Sequence, residues 1–223
     1  MQHDGFDPST RRFMKSMVAG GVVLAAGCTT LGGESAPEEG FEYRPAVSPV
    51  RPDAGGKLEV VEFFWFGCPH CNAFEPTLKG WLERRPADVA FRKVHVGLSQ
   101  RWVPHQQLFY SLEQLGRTDG TTDRVFHAIH VDKASLDERD AMADFVAKQG
   151  VDRRAFVAAF DSAQVRERMT RADALAAAFK VEGVPSLGVN GKWLTSPGMA
   201  GSYADALRVV DFLLARERSA AGR

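Results

Sequence analysis

Residues 58–66 read Leu-Glu-Val-Val-Glu-Phe-Phe-Trp-Phe, a run with two carboxylates and otherwise nothing polar, and Gly67 then leads into Cys68-Pro69-His70-Cys71. Such a run suits a strand covered on both faces. The stretch after the cysteines has helical spacing, with Phe74, Leu78, Trp81 and Leu82 on one stripe. Two cysteines separated by two residues, at the point where a strand hands over to a helix, are a redox signature. The first sits at the helix N-terminus, where unpaired N–H groups and the helix dipole favour negative charge. A thiolate there has a lowered pKa, and the thiolate is the form that attacks disulfides. The second lies one turn on, close enough to close a small disulfide ring.

The competing reading is a zinc-binding pair. A closed zinc site needs a second pair of Cys or His ligands. The chain has three cysteines, and the remaining one, Cys28, lies in an N-terminal apolar segment. His127 and His130 stand at helical spacing without a third ligand at a clear interval, so they read as surface or interface histidines. No metal and no cofactor are expected. With 223 residues, 44% of them hydrophobic, the chain suits one domain or one domain with an insertion. A formal net charge of zero gives no nucleic-acid footprint.

Residues 1–28 read as an export signal. Arg11, Arg12 and Lys15 precede the apolar run Met17 to Ala26, and small residues follow. Thr10-Arg11-Arg12-Phe13-Met14-Lys15 resembles a twin-arginine signal. Leu24-Ala25-Ala26-Gly27-Cys28 resembles a lipoprotein signal, in which Cys28 would be acylated, although Ala25 stands where leucine is usual. Either route takes the chain out of the reducing cytosol, to where a disulfide persists. Residues 29–43 read as a tether, its first part rich in Gly, Ser, Pro and Glu.

The helix opened by the cysteines reaches Arg85, with Pro76 expected to kink it. A strand follows from Asp88 to Val96. Helices dominate from Trp102 to Lys180: one closed by Gly116, one near Asp123 to Ile129, one opened by a capping box at Ser135-Leu136-Asp137-Glu138, and two capped by Asp152 and Ser162. Strand character returns at Val184 to Val189, Asn190-Gly191 signals a hairpin, and Ser202 caps a last helix. The order predicts an α/β thioredoxin fold with an inserted all-helical domain: residues 44–98 and 181–217 form the thioredoxin-like part and 99–180 the insertion.

At these residues the chain resembles the DsbA family of periplasmic thiol:disulfide oxidoreductases. The likeness rests on Val61-Glu62-Phe63-Phe64 before Cys68-Pro69-His70-Cys71, on Phe74-Glu75-Pro76 after it, on Lys93-Val94-His95-Val96, on Gly183-Val184-Pro185 and on Val189-Asn190-Gly191-Lys192. The resemblance implies that Cys68 is the exposed nucleophile and Cys71 the buried resolving cysteine. Pro185 would be a cis-proline beside them, and Val184 would offer its backbone to an extended substrate. It also implies a periplasmic location, exported proteins with free thiols as substrates, and reoxidation by a quinone-linked, DsbB-like membrane partner.

The residues themselves point the same way. His70, with Pro69 between the cysteines, can stabilise the Cys68 thiolate, and a stabilised reduced form makes the disulfide a stronger oxidant. Glu62, Glu75 and Lys93 are candidates for a charged cluster that relays protons to Cys71; the alternative is an ion pair that only satisfies buried charge. Trp65, Phe66 and Trp81 read as core or rim aromatics, with Phe66-Gly67 leaving backbone open to unfolded chains. The alternatives to a dithiol oxidase are a reductase or isomerase on the same fold, or a non-enzymatic carrier that uses the cysteines as ligands.

Overall fold

The computed structural model describes residues 35–222. β1 (Tyr43–Pro45), β2 (Leu58–Phe64), β3 (Val89–His95), β4 (Ser186–Val189) and β5 (Trp193–Thr195) form one sheet in the order β1-β5-β4-β2-β3. β2 is an interior strand between β4 and the edge strand β3, and all seven of its residues are buried. It runs parallel to β3 and antiparallel to β4. The β4–β5 hairpin turns at Asn190 and Gly191, both at positive φ (49° and 69°), the combination that matches the strand twist. Gly191 is required for a second reason: a Cβ there would lie 1.8 Å from the Val50 carbonyl oxygen.

α1 (Pro69–Arg84) follows β2 and runs on through Pro76. Five helices then lie between β3 and β4: α2 (Val103–Gln114), α3 (Thr121–His130), α4 (Arg139–Lys148), α5 (Arg153–Phe160) and α6 (Ala163–Ala178). A short α7 (Pro197–Ala200) and α8 (Tyr203–Ala220) come after the hairpin. This is the thioredoxin-type α/β fold with a helical insertion. Asp152, Ser162 and Ser202 cap α5, α6 and α8 through their side chains, as their positions predict.

Two apolar cores result. Leu58, Val60, Leu187 and Val189 pack with Phe74, Leu78 and Trp81 of α1 and with Leu207, Val210 and Leu213 of α8. Val61, Phe63, Phe64 and Val94 pack with the insertion, notably Leu108, Phe109, Phe126 and Met142. Each fully buried side chain of this size contributes about 1.5–3 kcal/mol. The second core joins the insertion to the end of β2, where the cysteines begin.

Two expectations need correction. Ser135 does not open a capping box. Its hydroxyl donates to Asp137, 2.7 Å away, and α4 starts after Glu138 without a side-chain cap. A nearby carboxylate has outcompeted the helix N–H groups for that hydroxyl. The tether read as ending at residue 43 also does not hang free there. Tyr43 is 4% exposed and opens β1, its ring edge-on to Trp193 and tilted against Phe212. The segment read as an export signal, with Cys28, lies outside the described residues.

Candidate active site

The site begins where β2 ends. Cys68 caps α1 in extended geometry, with Pro69 as the first helical residue, a position that needs no N–H donor. The Cys68 N–H donates to the Trp65 carbonyl at 3.0 Å, which folds Trp65 to Cys68 into a turn. Gly67 is obligatory in that turn: a Cβ would lie 2.2 Å from the Trp65 ring. Trp65 itself stacks on Trp102, with centroids 4.5 Å apart and planes 8° from parallel.

The two thiols are reduced and unequal. The Cys71 N–H donates to the Cys68 sulfur at 3.4 Å, and the Cys68 thiol donates to the Val184 carbonyl at 3.4 Å. Cys68 is lowered from 9.0 to about 6, chiefly by the hydrogen bond from the Cys71 thiol, against the opposing effect of burial. The backbone N–H groups of Cys71 and His70 and the His70 charge add to the lowering. Burial raises Cys71, and its bond to Cys68 raises it further, so its proton is retained. Cys68, expected to be exposed, is only 6% exposed, and Cys71 is 0% exposed. Both cysteines are thus buried, and the Cys68 sulfur sits in a recess beside Val184.

His70 is exposed, its Nδ1 3.5 Å from the Tyr203 hydroxyl. The Val184–Pro185 bond is cis, and the segment crosses in front of Cys68. Beside it lies a groove of about 710 Å³ whose walls include His70, Val184, Pro185, Leu194, Met199 and Tyr203.

Glu62, Glu75 and Lys93 do come together. Lys93 is Glu62's register partner on β3, and its ammonium is 2.5 Å from a carboxylate oxygen of each acid. Glu62 is fully buried and one of its oxygens has no partner among the described residues. Desolvation raises Glu62 to about 7; Lys93 opposes the rise and Glu75 reinforces it. Burial disfavours the Lys93 ammonium, but the two carboxylates outweigh it and raise its pKa. The Glu62 charge in turn helps keep Cys71 protonated.

Phe66 is a core aromatic, as one reading expected, but it does not leave its backbone open. It is 0% exposed, and neither end of its peptide is open to a substrate. Its N–H donates to His95 Nε2 at 3.2 Å, and its carbonyl accepts from His130 Nε2 at 2.8 Å. Trp65 Nε1 donates to His105 Nδ1 at 3.0 Å. Sequence reasoning did not single out these three histidines for the site. Their partners lie 29, 64 and 40 residues away, and no spacing signals such contacts. His127, by contrast, is exposed and pairs with Asp132. No cluster of three metal-ligating side chains occurs among the described residues.

The comparisons with known proteins agree with this geometry. The Thiol:disulfide interchange protein DsbA of Pseudomonas aeruginosa is 42% identical over 82% of this chain and 86% of its own. The chain belongs to the DsbA family. The DsbA of Bordetella pertussis is 40% identical over 87% of this chain and 93% of its own. A DSBA-like thioredoxin domain matches residues 98–204, from the end of the β3 region to α8. The crystal structure of Pseudomonas aeruginosa DsbA superimposes with a TM-score of 0.80 at 41% identity, covering 84% of this chain and 97% of that one. The oxidoreductase DsbA from Xylella fastidiosa gives 0.77 at 32% identity, covering 83% and 100%. Like its DsbA relatives, the protein is a thiol:disulfide oxidoreductase.

Proposed function

We propose that this DsbA-family enzyme donates a Cys68–Cys71 disulfide to exported proteins as they fold, with Cys68 as the sulfur that partners attack. The observation that carries the direction is the unequal pair of thiols. A Cys68 thiolate stabilised at neutral pH favours the reduced enzyme, and an enzyme that favours its reduced form gives its disulfide away.

In the reaction a substrate thiolate attacks the Cys68 sulfur of the oxidised enzyme. The Cys68–Cys71 bond breaks, and Cys71 leaves with the electron pair and takes up a proton. A second substrate thiolate attacks the substrate sulfur of the mixed disulfide, and Cys68 departs as a stabilised thiolate. The substrate dithiol has lost two electrons and the enzyme disulfide has gained them. Glu62, raised to about 7, is suited to supply the Cys71 proton, with Lys93 and Glu75 holding the cluster in place.

Val184 and Pro185 provide the docking edge, and the adjoining groove takes the substrate's side chains. The periplasm is the compartment this chemistry suits, and the signal read over residues 1–28 leads there. A quinone-linked membrane oxidase of the DsbB kind is the reoxidant proposed for the dithiol. No helix among the described residues is long and apolar enough to cross a membrane.

The test is a single turnover. Oxidised enzyme is mixed anaerobically with an equimolar reduced two-cysteine peptide, and both products are quantified by thiol alkylation and mass. Transfer of most disulfide to the peptide supports oxidase function. An equilibrium lying toward the enzyme disulfide would instead assign a reductase.

A further inference from the structure

The peptide of Phe66 lies where the sheet ladder has stopped. β2 ends at Phe64, whose carbonyl takes the last ladder bond, from the Val96 N–H at 3.0 Å. Phe66 is nonetheless fully buried, so its N–H and carbonyl must find other partners. Both partners are imidazoles. His95, the last residue of β3, accepts the N–H; its Nε2 therefore carries a lone pair and the ring is neutral, as its lowered pKa in this buried position requires. His130, the last residue of α3, faces the carbonyl with Nε2, and a ring nitrogen facing a carbonyl must carry hydrogen. The insertion thus grips the catalytic turn at two polar points, the Phe66 carbonyl through His130 and the Trp65 indole through His105, and His130 alone holds the backbone next to Cys68 among the described residues.

We propose that His130 is a positioning residue for Cys68: its N–H fixes the turn that delivers Cys68 to the start of α1, and so favours the Cys68 thiolate. In the reduced enzyme no bond to Cys71 fixes the Cys68 side chain, and its thiolate is held in place by the hydrogen bonds from the Cys71 N–H and thiol. The Cys68 backbone that aims the sulfur is tied to Trp65 and, through Phe66, to His130. In the oxidised enzyme a covalent bond to Cys71 holds the same sulfur. Loosening the turn therefore penalises the thiolate more than the disulfide. His130 is half-buried and its ring also lies over Phe126, so an aromatic replacement keeps the packing and removes only the donor.

The inference rests on Cys68 being the nucleophile, but its readouts need no protein substrate. His130→Phe and His130→Gln are compared with wild type in two measurements: the ultraviolet titration of the Cys68 thiolate, and the equilibrium with glutathione. His130→Phe should move the thiolate midpoint upward and shift the equilibrium several-fold toward the enzyme disulfide. His130→Gln, which can still donate, should recover most of both. If the Phe variant does not fold, His130→Ala takes its place in the same comparison. Unchanged midpoint and equilibrium with a lowered melting temperature would overturn the proposal and leave His130 a structural contact. A wild-type enzyme that fails to oxidise peptides but shows the His130 shifts would refute the proposed oxidase direction alone.

Discussion

The Cys68 thiol donates to the Val184 carbonyl at 3.4 Å, across 116 residues of sequence. In the proposed reaction this contact joins the nucleophile to the docking edge. A peptide that pairs with the Val184 backbone brings its own sulfur to the recess that holds Cys68. The same contact covers one face of the sulfur and helps leave Cys68 only 6% exposed.

Alkylation should separate the two cysteines. In the reduced protein iodoacetamide should modify Cys68 first, because Cys68 is lowered to about 6 while Cys71 keeps its proton and has no exposed surface. The labelling rate should rise with pH through a midpoint near 6. Cys68→Ser should remove oxidase activity, and Cys71→Ala should accumulate mixed disulfides. Peptide mapping that finds Cys71 modified first would refute the assignment.

The same lowering predicts how stability depends on pH. Cys68 titrates near 6 in the folded dithiol form, against an ordinary value of 9.0. A group with a depressed folded pKa contributes stability that is complete above its unfolded pKa and is lost as pH falls through the folded one. Melting temperatures of reduced and oxidised protein should therefore diverge in favour of the reduced form as pH rises from about 6 to about 9. His70→Ser should narrow that window from its acid side. The effect should be modest, because the Cys71 thiol is the leading cause and His70 is exposed. A divergence of the same size in the variant would exclude His70 from tuning the thiolate.

What was legible in the sequence was local. The β2 run, the cysteine pair, the Asp152, Ser162 and Ser202 caps and the Asn190-Gly191 turn each depend on residues within a few positions. Glu62, Glu75 and Lys93 could be named as a candidate cluster, but the register that pairs Lys93 with Glu62 came only with the structure. The histidine contacts to Trp65 and Phe66 had no such signal, since they arise only when β3, α2 and α3 converge on the end of β2. Ser135 misled because a carboxylate only two residues on, Asp137, is an equally local partner for its hydroxyl.

Glu62→Gln should dissociate stability from activity. A carboxyl raised to about 7 in the folded state binds more protons there than in the unfolded chain between its ordinary value of 4.5 and 7. Stability therefore falls as pH rises through that window, and above it the burial of the charge is a full cost. The amide removes that cost but also the bond to Lys93, which Glu75 still neutralises. The variant should be more stable than wild type at neutral pH by about 1–3 kcal/mol, judged from the size of the shift, and its stability should vary less between pH 4.5 and 7. Disulfide transfer should slow, because Cys71 loses a proton source as it leaves. Denaturant melts at several pH values and stopped-flow transfer rates check both halves. A variant less stable at neutral pH, with unchanged transfer, would make the cluster a structural ion pair.

Docking can be tested apart from thiol chemistry at Met199, which lines the groove with Pro185 and Tyr203 but forms no hydrogen bond to either cysteine. Met199→Glu places a charge in a wall that apolar side chains of an unfolded peptide would contact. An extended substrate should lose apolar burial of about 25 cal/mol per Å² withdrawn from the wall. The peptide's KM should rise several-fold while the glutathione equilibrium stays at its wild-type position, because a small thiol needs only the Cys68 recess. An equal loss with glutathione and with peptide would mean that the substitution had disturbed the cysteines. No change with either would move the substrate off this groove and leave the Val184 edge as the sole docking element.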